Sequence, residues 1–160
     1  MTFETALRTA GGTVAAAFRP GKQALKAEHR DLVRCKDSRR FTGGVDLDAA
    51  LALQPGFEES NRWDYGLGYR LSNGSEAAIW VEVHPAHAGE VDRVIDKLKW
   101  LQGWLRASAP ALRGLTQLFP GSPFVWLATG AGTHIPPHTP QARRLAQAGL
   151  GMPKRRLELP

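Results

Sequence analysis

The chain is poor in cysteine and has no long apolar run. Cys35 is its only cysteine, which excludes an intramolecular disulfide and a zinc site built from several cysteines, and indicates a reducing compartment. No segment approaches the roughly 18 apolar residues that a membrane-spanning helix needs. Glu4 precedes a weakly apolar stretch that Gly11 and Gly12 interrupt, so we expect no signal peptide and no membrane segment. We therefore expect a cytoplasmic protein.

Positive charge is in excess. The chain has 21 Lys and Arg against 15 Asp and Glu, for a formal net charge of +6. Such an excess is compatible with a polyanionic partner such as nucleic acid, and equally with a basic domain that has no such partner. The length of 160 residues and the hydrophobic share of 42% indicate one folded domain over residues 1–160.

The basic residues concentrate in two places. A helix is predicted at about residues 22–37, where four of them recur at i, i+4 spacing as a ridge, and a basic tail is predicted at residues 150–160. The ridge either contacts phosphates or is only a solvated helix face. The candidate nucleic-acid contacts are Lys22, Lys26, Arg30, Arg34, Arg39, Arg40, Lys154, Arg155 and Arg156.

Hydrophobic periodicity predicts an α/β fold. Residues 1–20 have modest helical character around a glycine pair, which indicates a loosely packed N-terminal helix. The further predictions are strands at 41–48, 62–70 and 77–85, a helix at 89–106, a buried strand at 123–129 and a helix at about 140–148. Because Asn73 and Gly74 lie between two alternating runs, the second and third strands are predicted to form an antiparallel hairpin.

This order predicts a mixed four-stranded sheet, an antiparallel meander plus a crossover strand, flanked by helices. Because such a crossover is right-handed, we expect the strand near residue 125 in the sheet interior.

Two acidic residues and a histidine lie on the central hairpin. Asp64 alternates with large aromatic residues, and Glu82 and His84 share one face of the next strand. They could converge on one point and form a site. Two alternatives stay open: Asp64 only satisfies backbone donors of the hairpin, or Glu82 forms a structural ion pair with Arg62 or Arg70.

The element order, with Asp in the second strand and Glu-x-basic in the third, resembles the PD-(D/E)xK superfamily, the restriction-endonuclease-like nucleases, over about residues 22–129. The resemblance implies that Asp64 and Glu82 bind Mg²⁺ or Mn²⁺ for phosphodiester hydrolysis. It places His84 at the lysine position and puts Trp63 where the family has proline. Lys97, or less well Lys99 on the same helix, could replace the missing lysine, and Glu28 could match a helix acid that some members use.

Four other interpretations stay open. The same fold with a degenerate site would bind nucleic acid or protein without cleaving it, and the acidic hairpin face could serve only as a protein-interaction surface. Histidines could assemble a zinc site with Glu82; they are His84, His87, His134 and His138. Asp46 and Asp48 could bind metal as a D-x-D pair, although Asp48 is better explained as a helix N-cap.

Overall fold

The computed structural model describes the backbone of residues 1–160 and all side chains except those of residues 131–134. In chain order its elements are α1 (Phe3–Thr9), α2 (Gly12–Ala15), a 3-10 helix (Ala27–Leu32), β1 (Val33–Cys35), a 3-10 turn (Ser38–Arg40), β2 (Phe41–Asp46), α3 (Leu47–Ala52), β3 (Tyr65–Arg70), β4 (Glu76–His87), a 3-10 turn (Ala88–Glu90), α4 (Val91–Ser108), α5 (Pro110–Leu118), β5 (Phe124–His134), α6 (Pro140–Ala148) and β6 (Leu157–Leu159).

A four-stranded sheet with the order β2-β3-β4-β5 lies at the centre of the fold. The first three strands run antiparallel to their neighbours, and β5 runs parallel to β4. The predicted α/β fold with a mixed sheet flanked by helices is therefore confirmed. The expected interior position of the strand near residue 125 is wrong, because β5 forms the edge of the sheet. Its free side is partly covered by the tail, where Ala128 N–H donates to the Lys154 carbonyl at 2.7 Å.

The hairpin between β3 and β4 sets the register of the candidate site. Gly74 has φ +87°, a left-handed conformation that glycine adopts without steric cost. The Asn73 side chain accepts the Ser75 N–H at 3.0 Å, closing the turn. Tyr65 then pairs with Val81, so that Asp64 comes opposite Glu82 on the same face of the sheet.

Hydrophobic residues cover both faces of the sheet. On one face Trp80 and Trp126 are buried against the helices. The predicted helix at 89–106 forms as α4, and its apolar stripe packs on that face. On the other face Leu67 and Ile79 pack against Leu25 and the last strand of the chain. Within the described part of the chain, no helix is long and apolar enough to cross a membrane.

The close packing of Trp80 on β3 gives a first prediction. A Cβ at Gly66 would lie 2.5 Å from the Trp80 ring, so Gly66→Ala must displace a buried indole. We expect it to lower the free energy of unfolding by about 1–3 kcal/mol. Gly103 in α4 has open space around it, so Gly103→Ala should raise the same quantity by about 0.5–1 kcal/mol. Urea unfolding compares the two; equal effects would contradict this packing.

The predicted helix over residues 22–37 is wrong. Its middle is the 3-10 helix, and its end is β1, which pairs in parallel with β6. Leu25 and Val33 are both buried under the sheet, because the pairing with β6 draws this segment across the core. The i, i+4 ridge of Lys22, Lys26, Arg30 and Arg34 therefore does not form.

Both ends of the chain are packed into the fold. Phe3, Ala6 and Leu7 of α1 are fully buried, in contrast to the expected loose N-terminal helix over residues 1–20. The tail at 150–160 contains β6, whose Leu157 and Leu159 belong to the core under the sheet. Arginines 155 and 156 precede that strand and stay exposed.

Two local details also differ from expectation. Residues 110–118, where no helix was predicted, form α5 with Pro110 in its first turn, where a missing N–H has no cost. Asp46, and not Asp48, caps α3 by accepting the Ala49 N–H at 2.9 Å. Asp48 instead pairs with Arg62 at 2.9 Å.

Candidate functional site

Hydrogen bonds hold Asp64 beside Glu82 and the next residue of β4. Asp64 N–H donates to Glu82 Oε1 at 3.1 Å, and Val83 N–H donates to Asp64 Oδ2 at 3.0 Å. The Asp64 carbonyl accepts the Leu47 N–H at 2.8 Å, so the backbone at this position is held from both sides. Asp64 thus does satisfy a backbone donor, as one alternative predicted, but it does so while facing the second acid.

Lys97 of α4 completes this pair. Its ammonium hydrogen-bonds Glu82 Oε2 and lies 3.7 Å from Asp64 Oδ1. The side chains are 16% exposed for Lys97, 22% for Asp64 and 0% for Glu82. Solvent therefore reaches the site from the Asp64 and Lys97 side, with Glu82 at its base. Lys99 is exposed and forms no ion pair with a described side chain.

The expected structural partners of Glu82 are engaged elsewhere. Arg62 pairs with Asp48, and Arg70 lies 3.6 Å from Glu76. Glu82 therefore depends on Lys97 for its positive partner. This ion pair joins the hairpin to α4 and fixes the position of the lysine.

Burial dominates the electrostatics of Glu82. Removal from water, and after it the nearby Asp64 carboxylate, raise its pKa to about 8, although Lys97 and the Asp64 N–H oppose the shift. The carboxyl therefore changes protonation near neutral pH. Such a perturbed acid beside a second acid and a lysine is typical of functional sites.

His84 extends the cluster toward the start of α4. Its Nε2 lies 2.8 Å from Glu90 Oε2, and its Nδ1 lies 3.8 Å from Glu82 Oε2. The hydrogen bond with His84 lowers the pKa of Glu90 below its ordinary value. Glu90 was not among the predicted site residues; its place next to His84 depends on the 3-10 turn that follows β4.

The carboxylates of Asp64 and Glu82 are ligands of the type that hard divalent cations prefer. Two carboxylates converge on one point, and Mg²⁺ is usually bound by one or two carboxylates together with waters and substrate phosphates. Among the described side chains no group of three or more His, Cys, Asp or Glu residues is placed to hold a metal. Asp64 and Glu82 therefore fit such an ion only if water and substrate supply the remaining ligands.

The zinc hypothesis has no support from the described histidines. His87 and His138 are exposed and neither contacts Glu82. The side chain of His134 lies outside the described residues. The remaining alternative acid, Glu28, is on the 3-10 helix and makes no hydrogen bond or ion pair with Asp64, Glu82 or Lys97.

Several predicted phosphate contacts bind the chain itself. Lys22 donates to the Arg30 and Val33 carbonyls at 3.0 and 2.9 Å, which closes the end of the 3-10 helix. Arg40 donates to the carbonyls of Arg70 and Pro160, each at 3.0 Å. These cations are held in structural roles.

The other predicted contacts divide into two groups. Arg30 and Arg34 donate to nearby backbone carbonyls, and Arg39 pairs with Asp37. Four basic side chains make no hydrogen bond or ion pair with any described residue: Lys26, Lys154, Arg155 and Arg156. The candidate nucleic-acid surface is therefore narrower than the sequence predicted.

The site consists of a fully buried acid on β4, a partly exposed acid just before β3 and a lysine on α4. Comparison with protein-family models, with curated proteins and with solved structures gave no match, so its function is inferred from this geometry alone.

Proposed function

We propose that this protein is a metal-dependent nuclease that hydrolyses phosphodiester bonds in nucleic acid. The observation that carries the proposal is the contact among Asp64, Glu82 and Lys97, which lie just before β3, on β4 and on α4. One alternative explains Asp64 by its backbone hydrogen bonds, and the other explains Glu82 by an ion pair with an arginine. Neither explains why both acids lie next to Lys97. The excess of positive charge, +6, favours a polyanionic substrate.

Each side chain has a role in this chemistry. When bound, Mg²⁺ or Mn²⁺ would supply an activated water and neutralise charge on the transferring phosphate. Asp64 and Glu82 would hold the ion, with Asp64 on the side open to solvent. The ammonium of Lys97 ends a flexible stem, and it stabilises negative charge that develops on the phosphate oxygens. His84, fixed by Glu90, lies beside this group and orients water or substrate.

We also propose that the fold is restriction-endonuclease-like. The support is the order of the three antiparallel strands, α4 and the parallel β5, with Asp64 just before the second strand of the meander and Glu82 in the third. Because its lysine comes from the following helix and not from the E-x-K strand, the protein would be a divergent member of the PD-(D/E)xK superfamily. The single Cys35 supports a reducing, cytoplasmic location.

A second candidate is a degenerate nuclease fold that binds nucleic acid without cleaving it. One observation favours it: both Glu82 oxygens already have partners, and the side chain is fully buried. Holding a metal ion then requires that the Lys97 ammonium leave Glu82. Binding without metal-dependent cleavage selects this candidate.

The test compares two neighbouring lysines. Plasmid DNA, circular single-stranded DNA and RNA are incubated with Mn²⁺, with Mg²⁺ or with EDTA, and initial cleavage rates are measured for wild type, Lys97→Met and Lys99→Met. We expect metal-dependent cleavage that Lys97→Met slows by about 100-fold or more, because the site loses its cation. Lys99→Met should change the rate by less than about threefold, since the exposed Lys99 lies outside the cluster. Equal losses, or no cleavage by any protein, would remove the nuclease proposal.

A further inference from the structure

A second concave surface lies beside the edge strand β5, on the side of the sheet away from α4. It is a cleft of about 720 Å³ between the 3-10 helix, the end of β5 and the tail, which we call the basic cleft. The residues of its wall that matter here are His29, Leu32, Ala128, Thr129, Arg155 and Arg156. Its volume is in the range of pockets that take a ligand as large as a nucleotide.

The basic cleft adjoins the Asp64–Glu82–Lys97 site around the sheet edge. Ala128 pairs with His84, two residues beyond Glu82, a separation of about 7 Å along the strand. On the other side of the edge, the His29 ring lies 2.8 Å from the Tyr65 hydroxyl, and Tyr65 directly follows Asp64. Because Tyr65 and Asp64 point to opposite faces of the sheet, a single strand that contacts both places must pass around its edge.

Two arginines supply the charge of the cleft. Arg155 and Arg156 are exposed and have no ion pair or hydrogen bond to a described side chain. The backbone around them is held, because Lys154 bonds to β5 and Leu157 begins β6. Two guanidinium groups on an ordered backbone present donors in the planar arrangement that phosphate oxygens accept.

The remaining wall suits a base more than a second phosphate. Leu32 and Ala128 are apolar, and His29 adds an aromatic ring to the same wall. Glu28, which also lines the cleft, can accept a hydrogen bond from an amino or hydroxyl group. Its negative charge disfavours the binding of a second phosphate beside it. A duplex presents mainly phosphates and sugars outside its grooves, whereas a single strand also offers unpaired bases for stacking.

We propose that the basic cleft binds an unpaired nucleotide of single-stranded nucleic acid, its phosphate on Arg155 and Arg156 and its base against Leu32 and His29, and leads the strand to the catalytic site. This inference deepens the proposed nuclease function and rests on it for the direction of the strand. The binding itself can be measured without cleavage.

The test measures binding in EDTA, which prevents cleavage. Fluorescence anisotropy follows a labelled oligodeoxynucleotide of about twelve nucleotides, single-stranded or annealed to its complement. The variants are Arg155→Ala/Arg156→Ala and, as a control with the same change in charge, Arg106→Ala/Arg113→Ala, whose arginines line a separate cavity between α4 and α5. Circular dichroism checks that each protein is folded.

We expect the wild type to prefer the single strand. The Arg155→Ala/Arg156→Ala protein should bind it about tenfold more weakly, and the slope of log affinity against log salt should fall by about 0.7, the value for one lost phosphate contact on a single strand. The control should change the affinity less than about twofold. Arg155→Lys/Arg156→Lys keeps the charge and should retain the slope, which provides a second reading if the alanine variant does not fold.

Several results would overturn the cleft proposal: no wild-type binding, equal losses in the cleft and control variants, duplex bound as tightly as single strand, or a phosphopeptide bound more tightly than either. Failure of the nuclease proposal is distinguishable. In that case Arg155→Ala/Arg156→Ala weakens binding, but no protein cleaves with Mn²⁺. If Lys97-dependent cleavage occurs and the cleft variant binds normally, only the cleft assignment falls.

Discussion

Replacing Lys97 with methionine should lower the free energy of unfolding by about 3 kcal/mol at about pH 9. Glu82 is fully buried, and Lys97 is its positive partner. Methionine keeps most of the apolar stem but leaves a buried carboxylate without a counter-charge. At about pH 6 the cost should be smaller, because Glu82, with its pKa raised by burial to about 8, holds a proton there. Urea unfolding at the two pH values measures both quantities.

Lys99→Met is the matched control for this effect. Lys99 is two residues away on the same helix and exposed, so its replacement should change the free energy of unfolding by no more than about 0.5 kcal/mol. A cost that is equal in the two variants, or that does not depend on pH, would show that Lys97 does not neutralise Glu82.

Replacing Glu82 with glutamine should make the free energy of unfolding depend less on pH. The carboxyl has a pKa of about 8 in the folded protein and an ordinary value of 4.5 when unfolded. Between these values the folded protein binds the extra proton, so the wild-type free energy of unfolding falls as pH rises through this window. The fall amounts to about 1.4 kcal/mol for each unit of raised pKa.

Glu82→Gln removes this contribution, so its stability should decline less than that of the wild type between about pH 5 and pH 9. Glu90→Gln is a control with the opposite pH dependence. His84 lowers the pKa of Glu90, so this carboxylate stabilises the folded protein above its unfolded pKa. That stabilisation is lost as the pH falls through the pKa of the folded state. Parallel curves for wild type and Glu82→Gln would contradict the buried, proton-holding state of Glu82.

Local patterns predicted the elements that carry the site. The strands around Asp64 and Glu82 alternate in polarity, and α4 repeats its apolar residues at helical spacing, so each could be assigned from a short window. Asn73 and Gly74 then fixed the pairing that places the two acids opposite each other. The convergence itself followed from this register and needed no distant contact.

What the sequence did not predict depends on distant contacts. β1 forms because Val33 pairs with Leu157 at the far end of the chain, and no local window shows that pairing. A helix was predicted instead, with a ridge of four cations. In the folded protein the side chains of three of them, Lys22, Arg30 and Arg34, bind backbone carbonyls. The choice between Lys97 and Lys99 was similarly open, because Lys97 lies at the margin of the apolar stripe and only the packing of α4 directs it toward Glu82.

The rate at which Glu82→Gln cleaves single-stranded nucleic acid in Mn²⁺, relative to wild type, tests the shared acid site most directly. If the two carboxylates hold the metal, this variant should be folded, more stable than wild type at alkaline pH, and at least about 100-fold slower. Metal-dependent cleavage at the wild-type rate by the folded variant would show that the chemistry, if any, lies elsewhere in the molecule.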